Sequence, residues 1–255
     1  PHHRDAQFGV ASALLARGDF AAGWTAFEQR PDRAAESGAA FAALPAWDGA
    51  AWPGTLVVYG EQGFGDVLQF ARFLPAARER VGRLVLLLDG YRAPLAPLLE
   101  HAAGADAVVT DATLLPAGPE VVRTSLLSLP FHLGVSRIDE APARYLAPPA
   151  ERAATWQARM AAVPHPRVGL AWSVLARDTQ GFVSRHKSIP PSVLAPLLAT
   201  PGVSFVTLQP GPAGDPAAFG RDAARIVDVR AHLRDFADTA ALVETLDLVI
   251  APDTA

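Results

Sequence analysis

Thr55-Leu56-Val57-Val58-Tyr59-Gly60-Glu61-Gln62-Gly63-Phe64-Gly65-Asp66 is an apolar run that ends in a glycine-rich turn and a carboxylate. A short run of branched and aromatic residues, Thr55 to Tyr59, reads as a strand. Asp66 to Arg80 then reads as a helix in spite of Pro75. Outward from this unit the alternation continues, with strand Arg83–Leu88, helix Tyr91–Ala103, strands Ala107–Thr110 and Glu120–Arg123, and an apolar helix-like piece from Leu126 to Leu133. Strands that alternate with helices predict parallel sheets wound in βαβ units, and so an α/β fold. Ser136 to Ala150, with Pro142, Pro148 and Pro149, reads as a linker. A second alternation follows: helix Glu151–Ala162, strand Arg167–Trp172, helix Pro191–Ala199, strands Val203–Gln209 and Ile226–Val229, helix Asp235–Leu246 and strand Leu248–Ile250.

Before Thr55 the pattern is helical. Phe8, Ala11, Leu14 and Leu15 recur at helical spacing, Gly18-Asp19 turns the chain, and Phe20, Trp24 and Phe27 resume the period. Two short helices of this kind bury little alone and normally stack as repeats, although only one copy is visible. The expected organisation is a helical remnant over 1–50, one sheet half over 51–148 and a second over 149–255. The sequence closes on Pro252-Asp253-Thr254-Ala255, inside a strand-to-helix turn, which predicts a piece truncated at both ends with its second sheet incomplete.

Composition narrows the function classes. The chain has 255 residues, half of them hydrophobic, with 22 basic and 26 acidic side chains and a net charge of -4. That balance, without a basic block, lacks the footprint of a nucleic-acid binder, and no apolar run is long enough for a membrane span. Zero cysteines exclude thiol chemistry, a disulfide framework and cysteine metal sites. With no basic-then-apolar leader, a cytoplasmic address is compatible. Lys187 is the single lysine, so arginine is background here and Lys187 is not.

Glycines between a strand and a helix let backbone N–H groups approach a ligand at the positively polarised helix N-terminus. The same residues also make a tight turn with Asp66 as its N-cap. A dinucleotide fingerprint would have glycine at position 68, where Leu68 stands, while Asp89 mimics the ribose-binding acid. No Asp-x-Asp, His-Glu-x-x-His or Gly-x-Ser-x-Gly pattern occurs, so a metal-independent, cofactor-free site is expected. Glu61 reads as a solvated loop residue, Asp235 and Asp238 as cap and surface positions, and Trp24 and Trp47 as packing residues.

Several segments together resemble bacterial tetratricopeptide-repeat proteins fused to a heptosyltransferase-like, glycosyltransferase family 9-like region. They are Trp47-Asp48-Gly49, Glu61 to Asp66, Gln69 to Pro75, Ser125 to Pro130, Val168 to Trp172, Arg185 to Pro190 and Asp235 to Asp253. The resemblance implies a GT-B-like pair of Rossmann-like halves across a cleft, the first binding the acceptor and the second a nucleotide-sugar donor. It implies Asp66 as the group serving the acceptor hydroxyl, although a helix N-terminus favours the ionised carboxylate and makes orientation its larger contribution. Lys187, with Arg185 and His186 beside it, would neutralise the departing diphosphate. Ser173, or equally Ser184 or Ser188, would add a hydrogen bond, and Asp253 and Thr254 would contact nucleotide or sugar. Gln62, Gly63, Gly65 and Gln209 complete the candidate substrate contacts. The His-Leu-Ala-Gly-type helix that follows in the family is not in this sequence.

Three functions fit these readings. The first is an inverting glycosyltransferase acting on a glycan, lipid-linked or protein acceptor. The second is a non-catalytic scaffold whose helical repeats hold a protein partner. The third is an NAD-dependent oxidoreductase resting on Gly63, Gly65 and Asp89.

Overall fold

Among the described residues, eight short strands, rich in branched and leucine side chains, assemble into two parallel sheets. The structure, a computed structural model, describes residues 4–30, 37–100, 104–137, 144–174 and 187–253, without the side chains of residues 4, 5, 7 and 40. The chain divides into two compact units, Pro1–Leu146 and Ala147–Ala255.

In the first unit, β1 (Trp52–Tyr59), β2 (Val81–Leu87), β3 (Ala107–Val109) and β4 (Val121–Ser125) lie in the order β3-β2-β1-β4. Leu56 stands between Leu84 of β2 and Val122 of β4. Leu56 to Tyr59 and Leu84 to Leu87 are buried without interruption, as strands covered on both faces must be. One face packs Val57, Tyr59, Val85, Leu87 and Val121 against Phe41 of a short helix, α3 (Ala39–Ala42).

The remaining helices of this unit are short for a visible reason. The expected Asp66–Arg80 helix is three pieces, α4 (Phe64–Phe70), a 3-10 turn (Ala71–Phe73) and α5 (Leu74–Arg78), the last with Pro75 in its first turn. The expected Tyr91–Ala103 helix is a 3-10 stretch, Gly90–Leu95, containing Pro94 and leading into α6 (Ala96–Leu99) with Pro97 at its start. Leu126–Leu133 is likewise a 3-10 turn followed by α7 (Leu129–Leu133), with Pro130 in the first turn. Proline lacks the N–H that would continue an α-helix through it and is tolerated where a helix begins.

Helices α1 (Arg4–Ala16) and α2 (Phe20–Phe27) form the expected hairpin, turned at Gly18 with φ 81°. Gly23 lets the two approach closely, since a Cβ there would stand 2.6 Å from Leu15 Cδ2. Trp24 carries the hairpin onto the sheet unit by an edge-to-face contact with Phe70 at 5.8 Å.

The second unit repeats the plan. β5 (Arg167–Leu170), β6 (Ser204–Thr207), β7 (Ile226–Val227) and β8 (Leu248–Ile250) run in the order β7-β6-β5-β8. Helices α8 (Ala150–Met160) and α10 (Phe236–Val243) pack on one face around Trp156, Met160, Val206, Ala241 and Leu242. α9 (Pro191–Leu198) covers the other face with Leu194 and Leu198 against Val168, Leu170 and Phe205. Leu248 and Val249 of β8 stay 54% and 41% exposed. Among the described residues no helix is long and apolar enough to cross a membrane.

Candidate functional site

Each sheet reverses its winding beside its first strand. The chain steps outward from β1 to β2 to β3 and returns to β4 on the other side, and β5, β6, β7 and β8 do the same. At such a switch point the loops after the two adjoining strands, β1 and β4 or β5 and β8, diverge, and the crevice at the strand carboxyl ends is where open α/β sheets bind ligands. Residues 60–66 and 125–128 occupy that place in the first unit; among the described residues, 171–174, 187–190 and 251–253 occupy it in the second.

In the first unit the glycine loop is rigidly built. A Cβ on Gly60 would meet Leu88, Val67 and Arg92 side-chain atoms at 3.1–3.2 Å, so a larger residue at this strand end would need those side chains to give by a few tenths of an ångström. The left-handed residue is Gln62, with φ 60°, and not one of the glycines. Its carbonyl accepts hydrogen bonds from Arg92 Nε at 3.2 Å and from the Tyr91 hydroxyl, which hold this uncommon backbone conformation. Gly63 is the N-cap of α4, and its N–H donates to Asp66 Oδ2 at 2.9 Å. Asp66 is therefore the third residue of the helix, not its cap, and its side chain reaches back to the loop. The Gly63 N–H expected to face a ligand is taken by Asp66, and Gly65 lies exposed in the first turn of the helix. The loop's contribution is a half-buried carboxylate in a fixed orientation.

Glu61 corrects the sequence reading. It is 2% exposed, not solvated, and Arg30 Nε donates to its Oε1 at 2.6 Å. Arg30 Nη1 also donates to Glu28 Oε1 at 2.7 Å, and its Nη2 to Ser128 Oγ at 2.8 Å. The Ser128 hydroxyl in turn donates to Glu28 Oε2 at 2.9 Å. The guanidinium lies 4.5 Å above the Phe27 ring. Burial opposes the charged guanidinium, yet Glu61 and Glu28 outweigh it and push the Arg30 pKa up. Arg30 and Arg92 carry no sequence motif, and the arginine-rich composition concealed both, while Ser128 lies within the Ser125–Pro130 segment, where nothing singles it out. Asp89, the candidate ribose acid, faces Arg92 at 3.6 Å.

In the second unit the loop after β5 is pinned at its neck. Gln209 Oε1 accepts from the N–H groups of Trp172 at 2.6 Å and Ser173 at 2.8 Å, and its Nε2 donates to Ser173 O at 2.5 Å. Ile189 N donates to Trp172 O at 2.7 Å, and Val174 N to Ser188 Oγ at 3.0 Å. Trp172, Ser173, Val174, Ser188, Ile189 and Pro190 line an open groove of about 450 Å3. Gln209 thus stands behind the groove as a tie on its backbone, and Ser173 stands in its wall.

Lys187 Nζ donates to Asp253 Oδ2 at 2.7 Å, which joins the loops after β5 and β8 across the switch point. The hydrogen bond from Lys187 holds the Asp253 carboxyl below the usual carboxylate range. Arg185, with Ser184 and His186, and Thr254 lie outside the described residues.

Asp235 caps α10 by accepting from Asp238 N at 3.0 Å, as its position predicts. Asp238, however, is 1% exposed and not a surface residue. It accepts from Arg152 Nη1 at 2.7 Å, Arg234 Nε at 2.7 Å and Trp156 Nε1 at 3.1 Å, which joins α8 to α10. Trp47 is buried, with its Nε1 donating to Ala50 O, and Trp24 packs among Phe20, Phe27 and Phe70.

No family model matches the chain. Protein FlbA of Caulobacter vibrioides is 32% identical over 275 residues, an alignment that covers 96% of this chain and 44% of FlbA, so the chain spans less than half the length of that relative. ADP-heptose LPS heptosyltransferase II of E. coli superposes with a TM-score of 0.53 at 12% identity, over 78% of this chain and 79% of that one. A glycosyl transferase family 9 structure from Veillonella parvula gives 0.54 at 12% identity, over 82% and 77%. The fold is shared with these glycosyltransferases. At 12% identity the likeness concerns the architecture, two parallel four-stranded α/β units, and the residues must carry any reading of chemistry.

Proposed function

We propose that this chain is the sheet region of an inverting, metal-independent glycosyltransferase that moves a sugar from a nucleoside-diphosphate sugar to an acceptor hydroxyl. The observation that carries the reading is positional. Asp66 and Lys187, the two residue types that the reaction needs, stand at the switch points of their respective sheets, where ligands of α/β folds bind.

In the proposed reaction the acceptor oxygen attacks the anomeric carbon from the face opposite the diphosphate. One C–O bond forms as the bond to the diphosphate breaks. Asp66, fixed by the Gly63 N–H, orients the hydroxyl and takes its proton. Lys187, with Arg185, meets the charge that develops on the departing diphosphate. The Lys187–Asp253 pair is exposed, and such pairs are weak, so a diphosphate can recruit the ammonium from Asp253. Ser173, in the groove wall, is assigned a hydrogen bond to the donor, and Asp253 and Thr254 its ribose or sugar hydroxyls. The α1–α2 hairpin, with Phe8 and Val10 43% and 54% exposed, is assigned as one unit of a helical repeat that offers a surface to a protein partner.

The test is Asp66→Asn in the full-length protein. Sugar transfer is abolished while nucleoside-diphosphate affinity stays within about threefold, because the carboxylate serves the acceptor and not the donor. Full activity in that variant refutes the role.

A further inference from the structure

Arg30 belongs to neither loop of the first switch point, yet it holds both. It follows the last turn of α2, and its one guanidinium reaches Glu61 in the loop after β1 and Ser128 after β4, while gripping Glu28 beside it. The side chains of Arg30 and Glu61 are 8% and 2% exposed. A planar fork with five N–H groups can serve three acceptors at fixed angles, which an ammonium cannot do.

From Glu61 the constraint passes along consecutive residues. Glu61 fixes the chain on one side of Gln62, whose carbonyl is fixed by Arg92 and Tyr91. The same peptide plane supplies the Gly63 N–H that orients Asp66. The hairpin also packs on this unit apart from this path, through Trp24 on Phe70. Buried ion pairs in general add little stability over apolar packing, because desolvation offsets their attraction, but they do fix geometry.

We propose that Arg30 is the positioning residue of the Asp66 loop, tying the α1–α2 hairpin to both loops of the first switch point so that the orientation of Asp66 depends on the hairpin. Its catalytic meaning rests on the glycosyltransferase reading, but its structural content does not.

Amide hydrogen exchange of the full-length protein separates the two. In Arg30→Ala and in Glu61→Gln, amides of residues 62–67 should exchange at least about tenfold faster, the cost of one charge-assisted hydrogen bond, while those of β1 and α1 keep their rates. Arg30→Lys keeps the charge and should not restore the loop; Ser128→Ala, which removes one arm without touching the ion pair, should loosen it less. Unchanged loop exchange overturns the proposal. So does loss of protection across α1 and α2 that Arg30→Lys restores, since that pattern describes charge-dependent docking of the hairpin. Hydrolytic release of nucleoside diphosphate from a panel of UDP-, GDP- and ADP-sugars, with water in place of the acceptor hydroxyl, supplies the second readout: kcat should fall at least about tenfold in Arg30→Ala with the donor KM unchanged. An equal kcat overturns positioning. A loosened loop in a protein that turns over none of these sugars supports Arg30 as the tie and refutes the glycosyltransferase reading instead.

Discussion

Replacing Gln209 with alanine isolates the tie behind the groove after β5. The side chain makes three hydrogen bonds to the backbone of Trp172 and Ser173, at 2.6, 2.8 and 2.5 Å. Each neutral bond contributes about 1 kcal/mol net, and water reaches this half-buried site to recapture part of it, so the loss is about 2–3 kcal/mol. That energy is local, because β5 and β6 remain paired from Arg167–Ser204 to Leu170–Thr207. At about 1.4 kcal/mol per tenfold, amides of Trp172 to Val174 should exchange about 30- to 140-fold faster in Gln209→Ala, with those of β6 and α9 unchanged. Gln209→Glu retains both accepted bonds and sets a carboxylate oxygen against Ser173 O, so its exchange rate should fall between the two. Mass-resolved exchange on the full-length protein reads the effect. Unchanged rates at 172–174, or an equal acceleration across β6, would refute the view of Gln209 as a tie on this loop.

Asp238→Ala should destabilise the second unit by about 3 kcal/mol in urea unfolding, through an orphaned Trp156 N–H and the loss of two guanidinium contacts; a loss below about 1 kcal/mol would contradict its place as a hub. The Asp247 carboxyl is held below its ordinary range by the Arg167 N–H and then by His165. A depressed folded pKa gives stability that is complete above the unfolded value of about 4 and is lost as the pH falls through the folded one. Asp247→Asn should therefore flatten the fall in stability below about pH 4, and a slope identical to that of the parent protein would count against the assignment.

The two sheets were legible because strands buried on both faces are written as unbroken apolar runs, such as Leu56 to Tyr59 and Leu84 to Leu87. The helices between them were legible as elements but not as shapes. Pro75, Pro94 and Pro130 divide continuous apolar spacing into 3-10 turns and short α segments. The glycine loop stood out as a candidate site through its position after a strand, and Lys187 through being the only lysine. The fixing of that loop was invisible. Arg30 lies 31 residues from Glu61 and 98 from Ser128, and an ion pair across such distances leaves no periodic trace. Asp238 was misjudged because the first turn of a surface helix and a buried hub present the same local sequence, Asp-Phe-Ala-Asp. Gln209 was legible as a polar residue at a strand end, but its tie to Trp172 and Ser173 needs the parallel neighbour β5.

The most direct test of the central claim is a calorimetric titration of UDP, ADP, GDP and NAD into the full-length protein, alongside Lys187→Ala. The account predicts that one nucleoside diphosphate binds, that NAD does not compete with it, and that Lys187→Ala weakens the binding at least about tenfold, as loss of a charge-assisted contact would. Binding of NAD in preference, binding indifferent to Lys187, or no binding of any of them to a folded protein would contradict it.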